Sequence, residues 1–386
     1  MTAIRPEQWK EGLLVRSPNW LGDLVMTFPA LMLLKRLLPE FCTLSVICPA
    51  GLAPVLDALD ETVDEIVPVA DPHAFPTRRE IQPLVHRHFG AGILFNNSLR
   101  DAVVMRRLGV KPLYGAAARG RSILLREPIT FPKRVSGQLN PPHQAKRCLE
   151  VAKKLGIDDW DGVSMPAIHP DFDARRFELA FERPFPDEKH PVLAVAPGAA
   201  FGDAKRWDAG AFHAVADHWQ RKRNGFVILL GSKTEAPICD KCAEGLTPSL
   251  TLNLAGKTSL HALMFILKHA AYCVANDSGI MHLAAAIGTP GTAVFGSTDM
   301  AATGPLSPKW NVLYRKEPCS PCFKHVCPLG TRACMQAIKV ADVLKTFPKP
   351  GNRMRLPYIL FPQKAYNGSS FMMASMFSLS TSSAFW

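Results

Sequence analysis

Six residues near the start of the chain, Pro18-Asn19-Trp20-Leu21-Gly22-Asp23, follow the apolar run Leu13-Leu14-Val15 and lead into an amphipathic stretch. An apolar strand running into a tight turn therefore ends on a carboxylate. In an open α/β sheet, ligands bind in the crevice beyond the carboxyl ends of the strands. A carboxylate placed there faces a cleft rather than a core. The same residue also suits the capping of the helix that follows, and the hexapeptide alone does not choose between the two.

Three loops in the second half carry related signals. Pro197-Gly198-Ala199-Ala200-Phe201-Gly202-Asp203-Ala204-Lys205-Arg206-Trp207 follows an apolar run. Its glycines let the backbone turn closely around a ligand, and Lys205 with Arg206 suits a diphosphate. An exposed basic turn has the same composition. Glu235 closes Leu230-Gly231-Ser232-Lys233-Thr234-Glu235, where an acid can accept hydrogen bonds from a ribose or favour the first turn of a helix. Asn276-Asp277-Ser278-Gly279 precedes an alanine-rich helix containing His282. The free N–H groups of such a helix start bind anions, while Asp277 can also cap and His282 can be an ordinary buried histidine. Neither the Walker nor the GxGxxG spacing occurs.

Cys319, Cys322, Cys327 and Cys334 form a third group, with His325 among them. Four thiolates can hold a structural zinc tetrahedrally, and His325 can replace one of them. An iron–sulfur cluster, a disulfide pair and a loop without metal are the other readings. Cys42, Cys48 and Cys273 lie in apolar surroundings and read as buried small hydrophobes.

These groups need a scaffold, and composition supplies room for one. The 386 residues are 47% hydrophobic, ample for two or three domains with buried cores. The net charge of +12 is concentrated: residues 78–134 hold 12 Lys or Arg against 3 acids. Arginine dominates there, which suits planar oxyanions such as phosphate and carboxylate. No zinc-finger spacing, RNP-like segment or basic zipper is present, so nucleic acid is not expected. No apolar run reaches the length of a membrane span. The polar start of the chain does not read as a signal peptide, so a cytoplasmic protein is expected.

Strand and helix patterns alternate through residues 13–108, with helices at 24–38 (kinked by Pro29), 53–59, 81–88 and 100–108. A helix from 141 to 155 ends at Gly156. The alternation restarts at residue 192 and continues to 295. Alternation of this kind predicts parallel βαβ units. The resulting expectation is an α/β chain of two Rossmann-like domains facing each other across a cleft. The first spans 1–156 and the second 191–348, with a connection at 157–190. The Ser-, Met- and Phe-rich tail at 349–386 is expected to be poorly ordered.

In combination and order, the hexapeptide ending at Asp23, the Ala204-Lys205-Arg206-Trp207 loop and Asn276-Asp277-Ser278-Gly279 with His282 resemble lipopolysaccharide heptosyltransferases that use ADP-heptose. The Asn-Trp-Leu-Gly-Asp form is most similar to the heptosyltransferase II branch, and the resemblance runs from about 12 to 347. It implies a GT-B fold and inverting transfer of heptose from ADP-heptose to the lipopolysaccharide inner core, with no metal required for catalysis. It implies Asp23 as general base, and Lys205, Glu235, Asp277, Ser278, Gly279 and His282 as donor-binding residues. The inner core is anionic, and Arg16, Arg100, Arg119 and Arg121 are the candidates to meet it. The basic surface suits peripheral contact with the anionic inner leaflet of the inner membrane. The competing expectations are a GT-B enzyme with another donor or acceptor, and a catalytically inactive nucleotide-sugar-binding protein.

Overall fold

The computed structural model describes residues 9–139 and 142–348; the expectation for the tail at 349–386 lies outside them. In the first half, β1 (Gly12–Arg16), β2 (Thr43–Pro49), β3 (Glu65–Val69), β4 (Ala91–Leu94) and β5 (Leu113–Gly115) form a parallel sheet ordered β3-β2-β1-β4-β5. Its helices are α1 (Leu21–Val25), α2 (Phe28–Leu37), α3 (Ala53–Asp57), α4 (Arg78–Ile81) and α5 (Leu99–Arg107). Next come α6 (Gln144–Ala152) and α7 (Ala174–Phe181).

The second half repeats the plan. Strands β6 (Val192–Ala196), β7 (Phe226–Leu229), β8 (Thr251–Asn253), β9 (Tyr272–Asn276), β10 (Gly291–Phe295) and β11 (Trp310–Tyr314) order as β11-β10-β9-β6-β7-β8, all parallel. Between them run α8 (Ala209–Arg223), α9 (Ala236–Ala243), α10 (Leu260–His269) and α11 (Gly279–Ile287). β1 and β6 are buried at every position, as continuous apolar runs must be in sheets covered on both faces. Both domains are Rossmann-like, and together they form the GT-B arrangement.

Strand order fixes where ligands bind. In the first sheet the chain reverses its direction of growth between β1 and β4; in the second, between β6 and β9. Crevices open at such switch points. The Asp23 loop follows β1, the Lys205 loop follows β6, and Asp277 follows β9.

Several local expectations change. Pro29 does not kink one long helix; it occupies the first turn of α2, where its missing N–H costs nothing. The break falls at Met26 and Thr27, and the Thr27 hydroxyl donates to the Leu24 carbonyl at 2.6 Å. The helix expected over 81–88 is instead α4 and a 3₁₀ turn, Gln82–Leu84, with His86 at positive φ. Edge strands β5 and β11 were not expected.

The connection at 157–190 contains an unexpected helix, α7. Its start is capped by Asp173, which accepts from the Arg176 N–H at 2.7 Å. Phe177 of α7 is fully buried, against Phe181, Phe185 and Phe265 with ring centroids 4.7, 5.0 and 6.1 Å away. Burial of such a ring stabilises by about 1.5–3 kcal/mol. One hydrophobic core runs from Leu13 and Leu24 in the first half through Phe177 to Met281 and Phe295 in the second. Among the described residues no helix is long and apolar enough to cross a membrane.

Candidate active site

Two glycines bring the domains together. A Cβ at Gly22 of α1 would lie 2.8 Å from the His282 ring of α11, and a Cβ at Gly279 would lie 3.0 Å from the Leu21 side chain. A side chain at Gly22 would have to displace the His282 ring, and one at Gly279 would crowd Leu21, so the missing side chains let the first turns of α1 and α11 meet closely. The meeting places Asp23, on the first turn of α1, opposite the loops of the second domain.

Asp23 does not cap its helix. Trp20 occupies the N-cap position and its side chain makes no capping bond, while Asp23 sits inside the first turn. The residue is half-buried. Burial among protein atoms pushes its pKa above the ordinary aspartate range, and the nearby charge of Asp277 adds to this. Lys205 and Arg134 pull it the other way. Arg16 braces the loop from beneath: its guanidinium donates to the Asn19 side chain at 2.8 Å and to the Ser17 carbonyl at 2.7 Å.

The second domain presents a paired network. The Lys205 ammonium donates to Asp277 Oδ2 at 2.7 Å, and the Thr298 hydroxyl donates to the same oxygen at 2.6 Å. Both Lys205 and Asp277 are largely buried. The His282 Nε2 lies 3.8 Å from Asp277 Oδ1. Burial pushes the His282 pKa down to about 4, so its ring is neutral at pH 7 and packs against Gly22.

Asn276 ties the loops together. Its amide donates to the carbonyls of Pro197 and Gly198 at 2.7 and 3.3 Å, and its oxygen accepts the Trp207 N–H at 3.0 Å. Ser278 caps α11, accepting the Met281 N–H at 3.4 Å. Glu235 ends a 3₁₀ turn rather than a strand; its Oε2 accepts from the Ser232 N–H and hydroxyl, both at 2.8 Å. Its Oε1 faces Gly198, where a Cβ would lie 2.2 Å away. The carboxylate thus lies directly against the start of the Lys205 loop.

The four arginines proposed for an acceptor divide. Arg16 is buried and paired with Asp101 at 3.2 Å. Arg121 is fully buried and donates to the Ala116 carbonyl at 2.9 Å. These two support loops at strand ends. Arg100 ties α5 to the carbonyls of Pro72 and His73, and Arg119 is exposed. The role of Thr298 emerges only from the folded chain, since a single threonine in a loop carries no signal in sequence, and so does the contact of Gly22 with His282.

The metal expectation for Cys319, Cys322, Cys327 and Cys334 finds no support. All four line one cavity of about 120 Å³. Yet among the described residues no group of three or more His, Cys, Asp or Glu is arranged to hold a metal ion. The Cys327 sulfur instead accepts the Arg332 N–H at 3.4 Å, and Cys334 is buried beneath Gly296.

Two facing Rossmann-like domains, with Asp23 on one opposite the Lys205–Asp277 pair on the other, have the architecture of GT-B glycosyltransferases. The model of glycosyltransferase family 9 (heptosyltransferase) matches residues 77–332, and the chain belongs to this family. It is 27% identical over 312 residues to lipooligosaccharide heptosyltransferase 2 of Haemophilus influenzae, covering 78% of this chain and 88% of that one. It is also 27% identical over 319 residues to lipopolysaccharide heptosyltransferase 2 of Escherichia coli, covering 78% and 87%. The solved E. coli ADP-heptose lipopolysaccharide heptosyltransferase II superimposes with a TM-score of 0.71 at 24% identity, over 86% of this chain and 96% of that one.

Proposed function

We propose that the protein transfers heptose from ADP-heptose to the inner core of lipopolysaccharide with inversion at the anomeric carbon. One observation carries the reading. Asp23 stands at the switch point of the first sheet, facing the Lys205–Asp277 pair at the switch point of the second. Family membership and the names of the relatives supply the sugar and the acceptor class.

In this mechanism an acceptor hydroxyl attacks the anomeric carbon, and the bond from that carbon to the diphosphate oxygen breaks. ADP leaves with the electron pair. Asp23 accepts the hydroxyl proton, whose acidity rises as the new bond forms. Lys205 and the start of α11 face the diphosphate, where negative charge grows in the transition state. Asp277 and Thr298 hold the lysine in place rather than touching the donor. Glu235 Oε1 takes a ribose hydroxyl. His282, being neutral, contributes shape and contact with α1 instead of charge.

The acceptor lies on the first domain, residues 1–156, and the donor on the second, residues 191–348. Arg100 and Arg119 supply positive charge toward the anionic acceptor, with Arg16 and Arg121 fixing the loops beneath. The basic stretch at 78–134 holds this cytoplasmic enzyme peripherally against the anionic inner leaflet. No cofactor or metal takes part in transfer.

Release of ADP from ADP-heptose with defined inner-core acceptors is the test. Acceptor-dependent release with ADP-heptose, and little with other ADP- or UDP-sugars, is expected. Faster turnover of another nucleotide sugar would replace the donor assignment.

A further inference from the structure

The cysteine-bearing segment 319–334 touches the Lys205 loop at close range. The Ala204 N–H donates to the His325 carbonyl at 3.0 Å. The His325 ring hydrogen-bonds through Nδ1 to the Phe201 carbonyl and stacks on the Phe201 ring, with centroids 4.0 Å apart and planes 17° from parallel. Phe201 in turn lies beneath the Lys205 ammonium, 4.8 Å from the nitrogen to the ring centroid. Gly202 permits the approach: at φ +148°, a Cβ there would lie 2.4 Å from the His325 carbonyl oxygen.

The same segment is anchored near the other partner of Lys205. The Phe323 N–H donates to the Ser297 carbonyl at 2.8 Å, and the Ser320 hydroxyl bonds to the Gly296 carbonyl. The next residue, Thr298, donates to Asp277. Both contacts of the Lys205 ammonium, the Asp277 carboxylate and the Phe201 face, are thus tied to residues 319–334.

We infer that Phe201 and His325 are positioning residues that hold the Lys205 ammonium ready for the leaving diphosphate. This inference rests on the diphosphate role proposed for Lys205. A lysine side chain has four rotatable bonds and wanders unless held. A cation held over an aromatic face and against a carboxylate needs no reorganisation when charge develops on the donor. The benefit appears in the transition state, so its loss lowers kcat more than it raises the KM for donor.

The experiment measures kcat, the KM for ADP-heptose and the melting temperature for five variants. Phe201→Leu and His325→Ala are expected to lose about tenfold in kcat, with donor KM within about twofold and little change in melting temperature. Phe201→Tyr and His325→Phe retain the stacked rings and are expected to recover most of the rate. Lys205→Ala serves as the reference. If it loses activity while Phe201→Leu and His325→Ala keep the wild-type kcat, the positioning role is overturned. If Lys205→Ala itself is fully active, the diphosphate role of Lys205 fails, and the inference fails with it. Parallel losses in Phe201→Leu and Phe201→Tyr would also overturn it.

Discussion

The two domains share one strand order and put opposite chemistry at the equivalent place. Counting outward from β1 and β6, both sheets run third, second, first, fourth, fifth strand, and the second sheet adds β11. The loop after β1 carries a carboxylate whose balancing charges, Lys205 and Arg134, come from other loops and, in the case of Lys205, from the other domain. The loop after β6 carries a lysine neutralised within its own domain by Asp277. One scaffold thus makes an acid that burial destabilises in its charged form and a cation that is already paired. The scaffold decides where chemistry happens; the loops decide what it is.

Removing either side should break this contrast unequally. Asp23→Ala is expected to fold, to bind ADP, and to lose transfer by about 10²–10⁴-fold, the range for a general base. ADP binding by calorimetry together with ADP release checks both halves of that statement. Lys205→Ala should cost about 10²–10³ in kcat, as removal of one preorganised donor does. Near-normal turnover in either variant would take that residue out of the mechanism.

Gly22→Ala probes the contact between the domains without touching a charged group. Its Cβ must displace the His282 ring, at a cost of about 1–3 kcal/mol for overpacking. A lower melting temperature and a kcat reduced about tenfold are expected, because Asp23 shifts against the donor loops.

The smallest effects are in pH. Burial raises the Asp23 pKa, so the acid limb of kcat/KM should lie above the ordinary aspartate range. Lys205→Ala should move the residual limb further up, because the lysine favours the charged carboxylate. The stability sign is the reverse of a salt-bridged acid. The cost of ionising Asp23 is absent below its unfolded pKa and fully present above its folded one. Asp23→Asn should therefore melt slightly higher than wild type at pH 7, and the difference should vanish as pH falls through that window.

Much of this was legible before folding. Continuous apolar runs marked β1 and β6, and the alternation restarting at residue 192 marked the second parallel sheet. Loops that end strands in glycine and charge marked Asp23, Lys205 and Asp277. What escaped was long-range. Nothing local says that Gly22 must face His282, or that Thr298 reaches Asp277. Arg16 and Arg121 read as candidates to meet an anionic acceptor, yet both are buried with protein partners. The start of α2 was hidden because Pro29 in an apolar run signals a kink as readily as a first turn. The metal reading of the cysteines relied on spacing, which does not specify the direction of the thiols.

The connection between the domains has one more consequence. A flexible tether would let the halves fold and melt separately. Here Phe177 of α7 is locked into an aromatic cluster with Phe265 of α10, and the core it joins is continuous from Leu13 to Phe295. Each half also has a core of its own, around Leu14 and Ile47 in the first and around Trp207 and Phe212 in the second, so the shared core adds to them. The boundary that looks like a joint in the sequence is a packed seam, and parting the halves there must expose apolar surface to water.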